Sequence, residues 1–208
     1  MLDAAWPLFI VASLALIVTP GQDMILVMSR SIAQGPAAGV ATAAGVGVGL
    51  LGHTVLATLG LGVVLRASEW LYVALKLVGA AYLVYLGVQL LRAGGSAPTA
   101  SPGPPRPLSR LFADGALSNA SNPKIAVFYF AFLPQFVLPG AAHPTLTVFA
   151  LGVAFAVLTV LVKAPVGLAA GMLSGWLRAR PGAIVMLHRA SGAVLVGLGV
   201  RLALERRD

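Results

Sequence analysis

The sequence predicts an all-α integral membrane protein: six transmembrane helices as two inverted three-helix repeats, with helices 1 and 4 broken at Pro. Three observations lead there. Of 208 residues, 59% are hydrophobic and 10% charged, and the mean hydropathy is +0.94; a soluble domain carries about a quarter charged residues. Apolar stretches of about 20 residues, the length that crosses a bilayer, recur between short polar joints. The second half of the chain echoes the first. The spans are expected at 4–29, 40–65, 70–92, 112–136, 145–175 and 183–204. They define a first repeat over 1–93, a flexible linker over 94–110 and a second repeat over 111–208.

The first span contains VTPGQDMILV, from Val18 to Val27. Pro20 removes a backbone donor and Gly21 permits a sharp turn. Asp23 then stands where it can cap the restarted helix, either as a cap only or as a cap with chemistry of its own. A cleaved signal peptide over residues 1–29 is disfavoured. It would need a basic leading segment, but Asp3 is the first charge, and five more apolar spans follow.

Span two carries Gly45, Gly47, Gly49 and Gly52, and span five carries Gly167, Gly171 and Gly175. Small residues let helices approach closely. These faces serve either to join the two halves or to join two protomers as a homodimer. His53, in span two, reads as a packing residue. Span three runs K-L-V-G-A-A-Y-L-V-Y-L-G-V-Q-L from Lys76, and span six runs R-A-S-G-A-V-L-V-G-L-G-V-R-L from Arg189. The basic residue, the Gly-Ala pair and the L-G-V-x-L tail recur with one residue dropped. Between spans three and four, residues 94–110 (GGSAPTASPGPPRPLSR) have a linker composition.

Span four breaks at Asn122-Pro123, a capping residue followed by a proline suited to the first helical position. Span five is longer than a bilayer requires, which calls for a tilt or a bend near Pro165. Three helices per half is an odd number, so the second copy enters the membrane inverted. Interrupted helices at matching positions of two inverted halves point to a transporter's site near the midplane.

The charges agree. All three lysines, Lys76, Lys124 and Lys163, fall inside spans or at their breaks, and Asp23 is read as the one acid inside an apolar segment. Charges there are costly and functional by default. Lys124, in a first helical turn, opposes the helix dipole and calls for a negative partner, either a substrate carboxylate or Asp23. Lys76 either serves the site or snorkels to the surface. Lys163 lies deep, before Pro165. Tyr82, Tyr85, Phe128, Tyr129 and Phe130 read as packing. The joints after spans one, three and five hold Arg30, then Arg92, Arg106 and Arg110, then Arg178, Arg180 and Arg189. The opposite side holds Asp3, Arg66, Glu69, Glu205, Arg206, Arg207 and Asp208. The positive-inside rule therefore places the linker in the cytoplasm and both termini outside.

Several function classes are excluded. The net charge of +8 sits at span ends, without the aromatic-interleaved basic patch of a nucleic-acid binder. Cysteine is absent and the histidines, His53, His143 and His188, are scattered, so no metal or other cofactor is expected. One intramembrane acid supplies no catalytic dyad, and no Ser-His pair has a nucleophile's setting, so no enzyme is expected.

Three blocks in order and spacing resemble the LysE/RhtB family of bacterial amino-acid exporters. They are TPGQDMILVMSRSIAQG, LKLVGAAYLVYLGVQLLR and FADGALSNASNPKIAVFYFAFLPQFV, the last with Asn119, Asn122, Pro123 and Lys124 as N-x-x-N-P-K. The resemblance covers almost the whole length. It implies six helices in the bacterial inner membrane and export of amino acids or close derivatives from the cytoplasm. Protons or the membrane potential would supply the energy, with a passive channel or an exporter of another small solute as the alternative. The family's motif residues fall here on Thr19, Pro20, Gly21, Asp23, Asn119, Asn122, Pro123 and Lys124; Lys76 and Lys163 join them as candidates from the charge argument. Gln22 replaces the second proline of the family's T-P-G-P, which makes the break less rigid and adds an amide. Many members carry Asn at the position of Asp23, so a proton-carrying role there belongs to a subgroup.

Overall fold

A computed structural model describes residues 3–19, 21–67, 69–94, 105–138, 140–170, 172, 176 and 179–204. Pro20, Gly171, Gly175, Arg178, most of the linker (95–104) and the tail from Glu205 to Asp208 lie outside the described residues, as do the side chains of Arg66 and Glu69.

The described residues are almost entirely helical: α1 (Trp6–Val18), α2 (Gln22–Gln34), α3 (Pro36–Ala67), α4 (Glu69–Arg92), α5 (Leu108–Ala120), α6 (Pro123–Val127), α7 (Pro144–Leu168) and α8 (Pro181–Leu204). A π-helical turn (Phe128–Phe132) and a 3-10 turn (Leu133–Phe136) continue α6. Among the described residues, three helices are long and apolar enough to cross a membrane, within Pro36–Gly60, Pro144–Leu168 and Gly182–Leu204; the pair α1 and α2, bent by 52°, makes a fourth if it forms one broken span. Large apolar side chains lie outward on these helices, among them Leu56, Leu59, Leu161, Met186 and Leu204. Apolar faces of this extent suit a lipid surround.

The first break stands where the proline and glycine predicted it, between Val18 and Gln22. α2 outlasts the expected span and runs to Gln34. It stops because Gly35 turns to φ 91° and donates its N–H to Ser31 O at 2.8 Å, a conformation that suits glycine. Pro36 then opens α3. The fourth span starts at Leu108, inside the expected linker, and breaks at Ser121-Asn122. α7 carries Pro165 internally and ends at Leu168, short of the expected residue 175.

α3 is the central helix, packed on α2, α5 and α7, while α4 packs on α8 and α1 on α8. Along α3 and α7, Gly39 meets Gly167, Gly47 meets Val160 and Gly152 meets Thr54, so the two run antiparallel. Between α4 and α8, Gly87 meets Gly192 and Gly199 meets Ala80. On α3, the glycines at 45, 47 and 49 all face neighbours within the chain, and Gly52 has open space. Gly45, Gly47, Gly49 and Gly167 thus join helices of one chain.

The core is aromatic. Phe128 stacks on Phe155 at 4.6 Å, Phe132 meets Phe136 at 4.8 Å, and Phe9 meets Phe136 at 5.4 Å. At one end of the bundle, Ala5 N–H donates to Phe136 O and Leu138 N–H to Asp3 O. At the other end, the amide of Gln34 pairs both ways with the backbone of Arg106, at 2.8 and 3.0 Å.

Candidate functional site

The two breaks meet. The end of α1 and the start of α2 bring Thr19, Gly21, Gln22 and Asp23 to one wall of a cavity. The end of α5 and the start of α6 bring Asn119, Asn122 and Lys124 to another, and α7 contributes Phe155, Thr159 and Lys163. The chamber is narrow, about 70 Å³, below the few hundred Å³ typical of ligand pockets.

Local chemistry explains the second wall. Asn122 is extended and its side-chain oxygen accepts from Lys124 N–H at 3.1 Å, with Pro123 at the first helical position. This satisfies a donor that the break would leave unpaired in lipid. The first wall differs from expectation. The residue preceding α2 is Gly21, no side chain caps that helix, and Asp23 is already inside its first turn. The reading of Asp23 as a cap is therefore corrected. Its carboxylate turns inward, where stronger partners stand.

Those partners are Lys163 and Asn119. Lys163 Nζ lies 3.1 Å from Asp23 Oδ2, and Asn119 Nδ2 donates to the same oxygen at 2.8 Å. Both Asp23 and Lys163 are buried. The other oxygens, Asp23 Oδ1 and Asn119 Oδ1, are buried without a protein partner. Lys124, one alternative partner for Asp23 in the sequence, instead extends its Nζ over Gly21, close to where a β-carbon would sit. The cavity thus holds two lysines against one carboxylate, an excess of one positive charge, together with two unsatisfied acceptors.

Of the predicted residues, Thr19, Gly21, Asp23, Asn119, Asn122, Lys124 and Lys163 line the cavity. Thr19 also donates to Ala15 O at 2.6 Å, closing the last turn of α1. Pro123 begins α6 and orients the wall without lining it. Lys76 lies on α4 and is not among the lining residues. Thr159 and Gln22 line the cavity without having been singled out as site residues; the amide of Gln22 was the only signal for either. His53, read as packing, does pack on Tyr129 at 5.6 Å, and its Nε2 also lies 3.2 Å from Asn119 O. A second acid within a predicted span, Asp114, corrects the reading of Asp23 as the only one. It sits midway along α5 and binds Arg106 at 2.7 Å, Arg30 at 3.4 Å and Arg110 at 3.7 Å.

The chain is similar to known membrane proteins over nearly its full length. It is 33% identical over 202 residues to a homoserine/homoserine lactone efflux protein of Salmonella typhimurium, covering 97% of each chain. It is 32% identical over 200 residues to an uncharacterized membrane protein of Pseudomonas aeruginosa, covering 94% of this chain and 93% of that one. A leucine efflux protein of Klebsiella pneumoniae is 26% identical over 201 residues, with 94% and 92% covered. No solved structure matches. The LysE type translocator family matches residues 14–206. With paired helix breaks around a buried Asp-Lys pair and this match along almost its whole length, the chain belongs to the LysE type translocator family.

Proposed function

We propose that this translocator is a secondary active exporter of amino acids or close derivatives, driven by proton antiport or the membrane potential. The observation that carries the reading is the cavity at the two breaks, with Asp23 held by Lys163 and Asn119 beside Lys124. A zwitterion fits its charges. The substrate carboxylate would meet Lys124, and its ammonium would donate to the unsatisfied oxygens of Asp23 and Asn119. Lys163 keeps the other carboxylate oxygen, so Asp23 never faces the cavity without a partner, which would be costly. Opened to the acidic side, Asp23 takes a proton, loses its hold on the ammonium and releases the substrate. Opened inward, it returns the proton. Substrate and proton thus compete for one group. The narrow chamber must widen to admit an amino acid, as alternating access requires.

The six-span, inverted-repeat architecture and the division at 93 and 111 belong to this proposal. Their support is reciprocal packing. The shift that aligns Lys76 with Arg189 also carries Gly39 onto Gly152 and Thr54 onto Gly167. The observed contacts Gly39–Gly167 and Gly152–Thr54 are therefore one contact seen twice. We place the protein in the inner membrane with both termini outside and the linker cytoplasmic. Arg30, Arg106 and Arg110 gather at one end around Asp114, while Asp3 and Leu138 join at the other.

The test is counterflow in proteoliposomes with labelled homoserine and leucine, with and without a pH gradient. Saturable counterflow that responds to the gradient in the parent, and loses that response in Asp23→Asn, is expected. Flux without counterflow, indifferent to the gradient, would indicate a passive channel. An unchanged pH response in Asp23→Asn would remove the carboxylate from coupling.

A further inference from the structure

A second, wider cleft adjoins the cavity. It holds about 630 Å³ between α2 and α5 and is lined by Gln22, Ser29, Arg30, Arg106, Asp114 and Ser118, among others. Gln22 lines both spaces. Successive residues of α2 bind successive residues of α5: Gln22 Nε2 donates to Ser118 Oγ at 3.1 Å, and Asn119 Nδ2 donates to Asp23 Oδ2 at 2.8 Å. The two bonds are rungs of one clasp. The outer rung faces the cleft and the inner rung faces the cavity.

The cleft has its own charge. Arg30 and Arg106 line it against the single carboxylate of Asp114, which leaves one formal positive charge in excess, and the exposed Arg110 reaches the same carboxylate from outside the lining. Arg106 holds the carboxylate at 2.7 Å, whereas Arg30 meets the same oxygen at 3.4 Å and its Nε is buried without a partner. A guanidinium held by one long contact keeps donors that suit a carboxylate. The outer rung is a single neutral hydrogen bond at an exposed position, which opens cheaply.

We propose that this cleft is an entry site for the substrate's carboxylate, held at Arg30 before the Gln22–Ser118 rung opens to the inner cavity. The site deepens the export reading and rests on it for the identity of the substrate. It takes α-amino acids and other small carboxylates, and it discriminates against their amides. An anionic lipid headgroup presents related chemistry to the same arginines, so the test includes both sources.

The chain contains no cysteine, so a single reporter thiol can be read without background. In Ser29→Cys, beside Arg30, the rate of labelling by a charged maleimide reports occupancy of the cleft in the full-length protein. Millimolar leucine or homoserine is expected to slow labelling at least threefold in vesicles of zwitterionic lipid, and leucinamide to leave it within 1.5-fold. Adding Arg30→Gln should abolish the protection, and Arg30→Lys should retain part of it. Adding Asp23→Asn should leave it in place while counterflow loses its response to the pH gradient, which separates this site from the inner one. Equal protection by leucine and leucinamide, protection that survives Arg30→Gln, or no protection at all would overturn the proposal. So would slowing produced by phosphatidylglycerol vesicles alone and not by leucine, which would assign the arginines to lipid.

Discussion

Lys163 Nζ lies 3.1 Å from Asp23 Oδ2, with the two side chains 7% and 4% exposed. Removing one member of such a pair leaves a buried charge uncompensated, at a cost of about 3–5 kcal/mol, while removing both costs far less. Asp23→Asn and Lys163→Met should each destabilise the protein in detergent unfolding, and the double variant should recover much of the loss. Additive losses would show that the two groups do not interact.

Lys124 should select for the carboxylate. With its Nζ extended over Gly21, it lines the cavity while the ion pair and hydrogen bond of Asp23 go to Lys163. Lys124→Ala is expected to cut counterflow of leucine at least tenfold while reducing that of leucinamide by less than threefold. A matching loss for both substrates would mean that the wall itself had collapsed.

Asn122 caps α6 through Lys124 N–H. Asn122→Ala should lower stability by about 1 kcal/mol, and Asn122→Asp should keep most of it, because both side chains accept the same bond. Thermal unfolding of the purified protein checks this. Equal losses in the two variants would point to a requirement for the amide itself.

Gly49 and Gly52 lie one turn apart on α3 and should respond in opposite ways. A β-carbon at Gly49 would stand 2.7 Å from Ala116 O and 2.9 Å from Asn119 Cβ, whereas nothing lies within 4 Å at Gly52. Gly49→Ala should destabilise by about 1–3 kcal/mol, the usual cost of overpacking. Gly52→Ala should be neutral or gain up to about 1 kcal/mol from helix propensity. A tolerated Gly49→Ala would show that α3 and α5 separate freely.

Much of this architecture was legible residue by residue. Pro20-Gly21 and Asn122-Pro123 announced breaks that the helix boundaries bear out at Val18–Gln22 and Ala120–Pro123. The rule that intramembrane charges are functional picked out Asp23, Lys124 and Lys163, which share one cavity. The same rule also picked out Lys76, which lies elsewhere on α4, because it identifies costly charges without saying which face of a helix they occupy. Asp114 escaped notice for a related reason. Near the end of its span it reads as a joint residue beside Arg106 and Arg110, and its third arginine, Arg30, comes from 84 residues away.

By itself, the sequence determined where the chain is apolar enough to cross lipid, where its first and fourth spans break and which charges are kept inside. Those properties follow from composition, proline, glycine and capping chemistry over a turn or two. Only the tertiary structure decided that Asp23 turns from its own helix end to Lys163, 140 residues away, and that Gln22 and Asn119 line the same cavity from opposite breaks. The reason is rotational. α3 and α7 are apolar around most of their circumference, so no hydrophobic stripe records which face turns inward. The close approaches at Gly39–Gly167 and Gly49–Asn119 set that rotation, and with it the partners each charge finds.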